Sequence, residues 1–167
     1  GNKLKLYAVQ SRTGANAQAL AVKEGAAYST TDYSQILKDP KVDMIMICTR
    51  HNLHAQMIIQ ALEADKAVFV EKPMALTLEE TEKVMEAARK TGTPFMVGFN
   101  RRFSKYAVET KKAIKNRHNP IILSYRMNAG YIPLDSWIQS EEGGGRIVGE
   151  GCHIIDLFNY FTDSEAE

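Results

Sequence analysis

The amino-acid sequence predicts an α/β fold with a doubly wound parallel sheet, and three observations lead to that prediction. Short apolar segments alternate with helical segments of roughly 10 to 15 residues, which is typical of parallel strands joined by crossover helices. Residues 42–48 (VDMIMIC) are nearly all apolar, as expected for a strand that helices cover on both faces. The alternation ends near residue 117, so the sheet belongs to the first part of the chain.

Local sequence signals predict each element of this first part. Residues 4–10 are a predicted strand that ends at the polar turn 11–14, and the helix at 15–23 ends at Gly25. Thr77 and Glu80 have the spacing of a capping box, which predicts a helix over residues 78–90. The other predicted elements are a helix at 31–37, a strand at 42–48, a helix at 53–64, a strand at 66–70, a strand at 94–99 and a helix at 104–115.

The predicted sheet is incomplete at its beginning. A Rossmann-type domain normally opens with a strand, a G-x-G-x-x-G turn and a helix, because the glycines let backbone amides approach a pyrophosphate. This chain contains no such turn, so its first strand would be the second strand of the domain. We therefore interpret residues 1–117 as a partial dinucleotide-binding domain and expect the natural protein to extend on the N-terminal side.

Residues 118–167 are predicted to begin an α+β substrate domain that the chain contains only in part. A strand is predicted at residues 120–127 (PIILSYRM), and an irregular loop with a triple glycine follows at 128–149. A helix is predicted at 152–161, and the acidic segment after it ends the chain.

The composition indicates an ordinary globular protein with small-molecule partners. The chain has 167 residues and a formal net charge of +1, with acidic and basic residues mixed along it. We expect no nucleic-acid partner and no membrane partner, because no basic tract and no long apolar run is present. Cys48 and Cys152 lie far apart without metal-ligand spacing, so we predict no metal site and a reducing, cytoplasmic location; a disulfide between them stays open.

Four segments together resemble one family of proteins. The resemblance is strongest at Glu71-Lys72-Pro73 after a buried strand. The other matching segments are residues 42–55 (VDMIMICTRHNLHA), 96–103 (MVGFNRRF) and 143–157 (GGGRIVGEGCHIIDL). In this order and spacing they resemble the Gfo/Idh/MocA oxidoreductases. The resemblance implies an NAD(P)-dependent oxidoreductase that acts on a sugar, cyclitol or related polyol, here as a fragment of a longer parent that we expect to be a homo-oligomer.

Lys72 and His153 are the candidate catalytic residues. Lys72 follows a buried strand at its carboxyl end, where ligands bind in open parallel sheets. Burial there would favour the neutral amine, which can exchange a proton with a substrate hydroxyl. His153 and Asp156 are spaced i, i+3 and share a helix face. The resemblance implies that His153 takes part in substrate binding and proton transfer.

The candidate cofactor contacts lie at the ends of several predicted strands. In the turn after the first strand, Ser11 and Arg12 stand where NAD-preferring proteins place an acid, so NADP is slightly favoured over NAD. Glu71 could orient the neighbouring lysine or counter its charge. The other candidates are Thr49, Asn52 and His54, which the resemblance places on the nicotinamide side, and Asn100 and Arg102 after the strand at 94–99. His51 is expected to be an ordinary loop residue.

The candidate substrate contacts are Tyr131, Trp137 and Glu150, and they raise an alternative function. Many family members carry an acid four positions before the histidine, whereas this chain has Gly149 there and Glu150 one step later. One alternative is therefore a catalytically lapsed sugar-binding or regulatory module. Another is redox-neutral chemistry, such as elimination from a glycoside, with a tightly held cofactor.

Overall fold

The computed structural model describes residues 4–164. Five strands alternate with helices over the first two thirds of the chain, and one further helix follows a long irregular segment. In chain order the elements are β1 Ala8–Gln10, α1 Gly14–Glu24, β2 Tyr28–Thr30, α2 Tyr33–Lys38, β3 Met44–Ile47, α3 His54–Glu63, β4 Ala67–Val70, α4 Leu78–Thr91, β5 Phe95–Val97, α5 Lys105–Ile114 and α6 Cys152–Thr162. The predicted α/β alternation is confirmed.

All strand pairings in residues 4–164 are parallel, but they form two separate sheets, β1-β2 and β3-β4-β5. Strand β2 was not predicted, because three residues are too few to give a periodic signal. β1 and β3 are not paired with each other in the described part of the chain. In a doubly wound sheet the order 3-2-1-4-5-6 puts the glycine-turn strand between these two. The break therefore lies where the sequence predicts a missing strand.

The hydrophobic core lies between the β3-β4-β5 sheet and the helices α3 and α4. Its fully buried side chains include Ile47, Ile58, Leu62, Val70 and Val84. The two helices contact each other through small residues such as Ala61 and Ala87. This packing fixes the carboxyl ends of β3 and β4, where the candidate site lies.

The helix ends agree with the local signals in the sequence. Gly25 follows α1 in a left-handed conformation, with φ of 69°. Its backbone N–H donates to the Ala21 and Val22 carbonyls in the last turn of the helix. At α4 the predicted capping box is present, because the Thr77 side chain accepts from the Glu80 amide and the Glu80 carboxylate accepts from the Thr77 amide. Glu80 also accepts from the Leu76 amide, so it ties the preceding loop to the helix.

Thr77→Ala should lower the free energy of unfolding by about 1 kcal/mol, because the Glu80 amide loses its acceptor at the helix start. Thr77→Ser keeps that acceptor and serves as the matched control. Denaturant unfolding monitored by circular dichroism measures both variants. Equal stability of the two variants would contradict the role of the cap.

The prediction of a strand at residues 120–127 is wrong. The structure has no secondary structure there, and Ile122 is 96% exposed. A strand is stable only when a neighbouring strand accepts and donates its backbone hydrogen bonds, and no strand pairs with this segment in residues 4–164. The predicted helix after the loop is present as α6, which packs against α5.

Candidate active site

Lys72 lies at the carboxyl end of β4, and its side chain bonds to residues from the C-terminal part of the chain. The Glu71 amide donates to the Ile47 carbonyl at 2.9 Å, which extends the pairing of β3 with β4 up to the lysine. The Lys72 side chain is 19% exposed, and its Nζ donates to the Gly149 carbonyl at 2.8 Å. The amine is thus fixed in a half-buried position rather than free in solvent.

Glu150 brings a carboxylate to this amine. Its Oε1 lies 3.3 Å from Lys72 Nζ, and its Oε2 lies 3.2 Å from Nη2 of Arg101. Glu150 belongs to a π-helical turn, Ile147–Gly151, that leads directly into α6. Such turns hold one extra residue per turn and are frequent at functional sites. An acid thus contacts Lys72 although the residue four positions before His153 is Gly149.

His153 is buried on the first turn of α6. Its side chain is 5% exposed, and Nδ1 has no hydrogen-bond partner among residues 4–164. The ring packs edge-on against Phe99, with 6.1 Å between centroids. Burial lowers the pKa of the imidazole, and the positive charges of Arg101 and Lys72 lower it further. His153 is therefore neutral near pH 7 and can accept or donate a hydrogen bond.

The loop after β3 contacts the loop that precedes α6. His51 Nδ1 lies 2.8 Å from the Gly143 carbonyl, and its ring meets the Trp137 ring edge-on at 4.9 Å between centroids. The Arg50 guanidinium lies 4.1 Å from the Trp137 centroid. Burial lowers the pKa of His51, so the ring is neutral and can donate to the carbonyl. The sequence suggested only a loop residue here.

His54 is fully buried, and its ring contacts the backbone of this loop and of the segment that carries Lys72. Its Nδ1 lies 2.7 Å from the Pro73 carbonyl and its Nε2 3.2 Å from the Thr49 carbonyl. The imidazole thereby joins the segment after β3 to the segment that carries Lys72. The Thr49 hydroxyl donates to the Arg50 carbonyl in the same loop and also lies near the Met57 sulfur.

Two cavities meet at Lys72. The larger, of about 460 Å³, is lined by His51, Lys72, Arg101, Met127, Ala129, Ile132, Trp137, Ile138, Arg146, Gly149 and Glu150. The smaller, of about 260 Å³, is lined by Cys48, Thr49, His51, His54, Glu71, Lys72 and Trp137. His51, Lys72 and Trp137 line both cavities, so the lysine amine is available to groups bound on either side.

Gly143→Ala should disrupt the contact between the two loops, because an added Cβ would lie 2.5 Å from the Ile138 Cα and 2.6 Å from the Trp137 carbonyl oxygen. We expect a loss of about 1–3 kcal/mol in the free energy of unfolding and a weaker quenching of Trp137 fluorescence by its neighbours. Gly151→Ala is the control, since its Cβ would meet only Ile147 at 3.7 Å. Matching effects from both variants would argue against the tight loop contact.

Several predicted site residues lie outside the two cavities. Ser11 and Arg12 form an exposed turn at the end of β1, where the Ser11 hydroxyl donates to the Thr13 carbonyl. Asn100 is exposed, and Tyr131 is 82% exposed. The backbone N–H of Asn52 donates to the Glu142 carbonyl. These residues are not brought together with Lys72.

Arg102 and its neighbour Arg101 face different partners. Arg102 forms a two-bond fork with the buried carboxylate of Asp156, through Nε at 2.9 Å and through Nη2, and lies 5.5 Å from the centre of the Tyr160 ring. Arg101 instead lines the larger cavity. Arg102 was predicted as a site residue and Arg101 was not, because nothing local distinguishes two adjacent arginines in a loop.

Residues 4–164 place no three His, Cys, Asp or Glu side chains where together they could hold a metal ion. Over the same residues no helix combines the length and the apolar character that a bilayer crossing requires.

Comparison with known proteins identifies the family of this chain. The family model for the Gfo/Idh/MocA oxidoreductases with an NAD-binding Rossmann fold matches residues 1–99. The chain is 36% identical over 164 residues to scyllo-inositol 2-dehydrogenase (NAD(+)) of Bacillus subtilis, covering 96% of this chain and 47% of that protein. It is 27% identical to myo-inositol 2-dehydrogenase of Thermotoga maritima, covering 97% and 48%.

A solved structure of levoglucosan dehydrogenase in complex with NADH and levoglucosan superposes with a TM-score of 0.81 at 30% identity, covering 94% of this chain and 45% of that one. The chain thus spans about half the length of the relatives it matches. With a family match over residues 1–99 and a shared fold over nearly its whole length, the chain belongs to the Gfo/Idh/MocA family of oxidoreductases.

Proposed function

We propose that this chain carries the active site of an NAD(P)-dependent dehydrogenase or reductase that acts on a sugar, cyclitol or related polyol. The observation that carries the proposal is Lys72, a half-buried amine on the wall shared by two cavities and in contact with a carboxylate. The named activities of the relatives, on inositols and levoglucosan, support the substrate class. The division at residue 117, the cytoplasmic location and the homo-oligomer stay predictions.

The smaller cavity suits the nicotinamide end of the cofactor. It lies at the carboxyl ends of β3 and β4, the edge of a parallel sheet where such ligands bind. Its volume of about 260 Å³ can admit a ring and a carboxamide, and Thr49 and Glu71 offer polar atoms to it. His54 would act indirectly by positioning the loop. When bound, the nicotinamide supplies the acceptor or donor for hydride.

The residues of the chain manage the proton and the orientation of the substrate. As a substrate carbinol carbon loses hydride, Lys72 Nζ accepts the proton of its hydroxyl and the C–O bond becomes a carbonyl. Glu150 stabilises the ammonium that results. His153 lines neither cavity, and its buried Nδ1 has no partner among residues 4–164, so its contact with a substrate hydroxyl stays a prediction. Trp137 lines the larger cavity and would pack against the sugar ring. In the reductive direction, Lys72 returns the proton.

The cofactor preference is proposed to be NADP over NAD by a small margin. The turn after β1 offers Ser11 and Arg12 and no acid, so a guanidinium is available for a 2′-phosphate. The contact predicted for Arg102 is less favoured, because Asp156 already holds its guanidinium. The contact predicted for Asn100 is less favoured because Asn100 lines neither cavity.

The test is a turnover assay of the full-length protein with NAD⁺ and NADP⁺ over a panel of inositols, aldoses and anhydrosugars, followed by the absorbance of the reduced cofactor. We expect reduced cofactor to form with at least one compound. A protein that binds a sugar and the cofactor but never reduces the cofactor is the lapsed module. Cofactor that copurifies, stays bound and cycles without net change would instead indicate redox-neutral chemistry.

A further inference from the structure

The larger cavity has more positive charge than a neutral polyol requires. Three basic side chains line it, Lys72, Arg101 and Arg146, and two of them are guanidinium groups, against the single carboxylate of Glu150. The remaining lining is largely apolar, with Ile132, Trp137 and Ile138 among it. Apolar walls reduce the screening of these charges by water, so a bound group of negative charge would be favoured there.

Glu150 cannot neutralise its two partners. It offers one oxygen to Lys72 and the other to Arg101. Beyond that contact, the partners of Arg101 among residues 4–164 are neutral: the Tyr125 hydroxyl at 3.2 Å and the Met127 sulfur at 3.6 Å. Arg102 differs, since both of its bonds go to a single carboxylate. Nη1 of Arg101 binds no carboxylate among residues 4–164 and is therefore available to a second one.

Arg146 adds a charge that no carboxylate among residues 4–164 pairs with. Its two terminal nitrogens donate to the Gly130 and Ala129 carbonyls at 2.6 and 2.9 Å. Its Nε is buried and has no partner among residues 4–164. These neutral acceptors hold the guanidinium in place at the cavity wall and leave its positive charge uncompensated.

We propose that the substrate is a sugar or cyclitol that carries a carboxylate, and that Arg101 binds this carboxylate. This inference rests on the proposed dehydrogenase function, because Lys72 must enter oxidation without its proton. In that state two guanidinium groups face one carboxylate, an excess of one positive charge. A monoanion such as a uronate balances this excess. A phosphate monoester carries close to two negative charges at neutral pH and fits it less well.

The experiment compares acid and neutral sugars of matched stereochemistry in the full-length protein. D-Glucuronate is paired with D-glucuronamide, and D-galacturonate with D-galactose; D-glucose 6-phosphate probes the phosphate alternative. Binding to the NADH-loaded protein is measured by calorimetry, and kcat/KM is measured with the oxidised cofactor. We expect the acid of at least one pair to be favoured about tenfold, the scale of one charge-assisted contact, and we expect Arg101→Gln to abolish that preference.

Arg117→Gln is the control variant, since Arg117 lies at the end of α5 and contacts only the Ile114 carbonyl. It should leave the preference unchanged. The inference is overturned if neutral sugars bind as well as the acids, if the phosphate is preferred, or if Arg101→Gln keeps the preference. Failure of the proposed function gives a different result: no sugar reduces the cofactor, while the binding titrations still report whether acids are preferred.

Discussion

Lys72→Met is expected to lower kcat by about a hundredfold to ten-thousandfold, the usual contribution of a positioned acid or base. The substituted side chain keeps the length and the apolar packing of the lysine stem but cannot accept the substrate proton. Affinity for NADH should change little, because the methionine keeps the apolar stem that lines the smaller cavity, while the amine itself bonds to Gly149 and Glu150. Steady-state turnover and NADH titration of the full-length protein measure the two effects separately.

Lys83→Met is the matched control for that substitution. Lys83 is an exposed lysine on α4 that pairs only with Glu79, four residues earlier on the same helix. Such exposed pairs contribute little to stability, and Lys83 lines neither cavity. Its kcat should remain within about twofold of the parent. If Lys72→Met behaves in the same way as Lys83→Met, Lys72 is not the proton carrier.

Asp156→Ala is expected to reduce the free energy of unfolding by about 3 kcal/mol, near the lower end of the range for breaking a buried ion pair. Asp156 is 8% exposed and accepts the fork of Arg102, which joins α6 to the segment after β5. Without the carboxylate, the guanidinium keeps its desolvation but loses its charge partner. Because Arg102 is itself 34% exposed, water can compensate part of this loss. Denaturant unfolding provides the measurement.

Asp163→Asn provides the comparison at the residue that follows the same helix, because asparagine removes the charge and tolerates the left-handed backbone there, with φ of 56°. Asp163 pairs with Lys111 across the same contact of α5 with α6, but its side chain is 77% exposed. Its loss should cost no more than about 1 kcal/mol. Activity adds a second readout, since a displaced α6 would carry His153 away from Lys72. A stable Asp156→Ala protein with full activity would disprove the structural role of the Arg102 fork.

Local sequence signals determined much of the fold and one part of the site. The alternation of apolar strands with helices predicted the parallel sheets, and the Thr77 and Glu80 spacing predicted the start of α4. The position of Lys72 directly after a buried strand predicted its place at the sheet edge. These signals are reliable because strand burial, helix caps and the direction of parallel strands depend on residues close together in the chain.

The same signals failed where a structure depends on a partner distant in sequence. Residues 120–127 have the composition of a strand, but a strand needs a second strand to pair with, and the segment has none in residues 4–164. β2 forms from three residues only because β1 lies beside it in register. Neither the missing strand at residues 120–127 nor the presence of β2 can be deduced from the residues of that segment alone.

The tertiary structure alone decided which charged side chains enter the site. Arg101 and Arg102 are adjacent and equivalent in sequence, yet Glu150 binds one at the cavity and Asp156 binds the other beneath α6. His51 became a site residue because Gly143, 92 positions later, accepts its hydrogen bond. Side-chain direction is set by the burial and charge of the nearest groups in space, and in this protein those groups come from the opposite end of the chain.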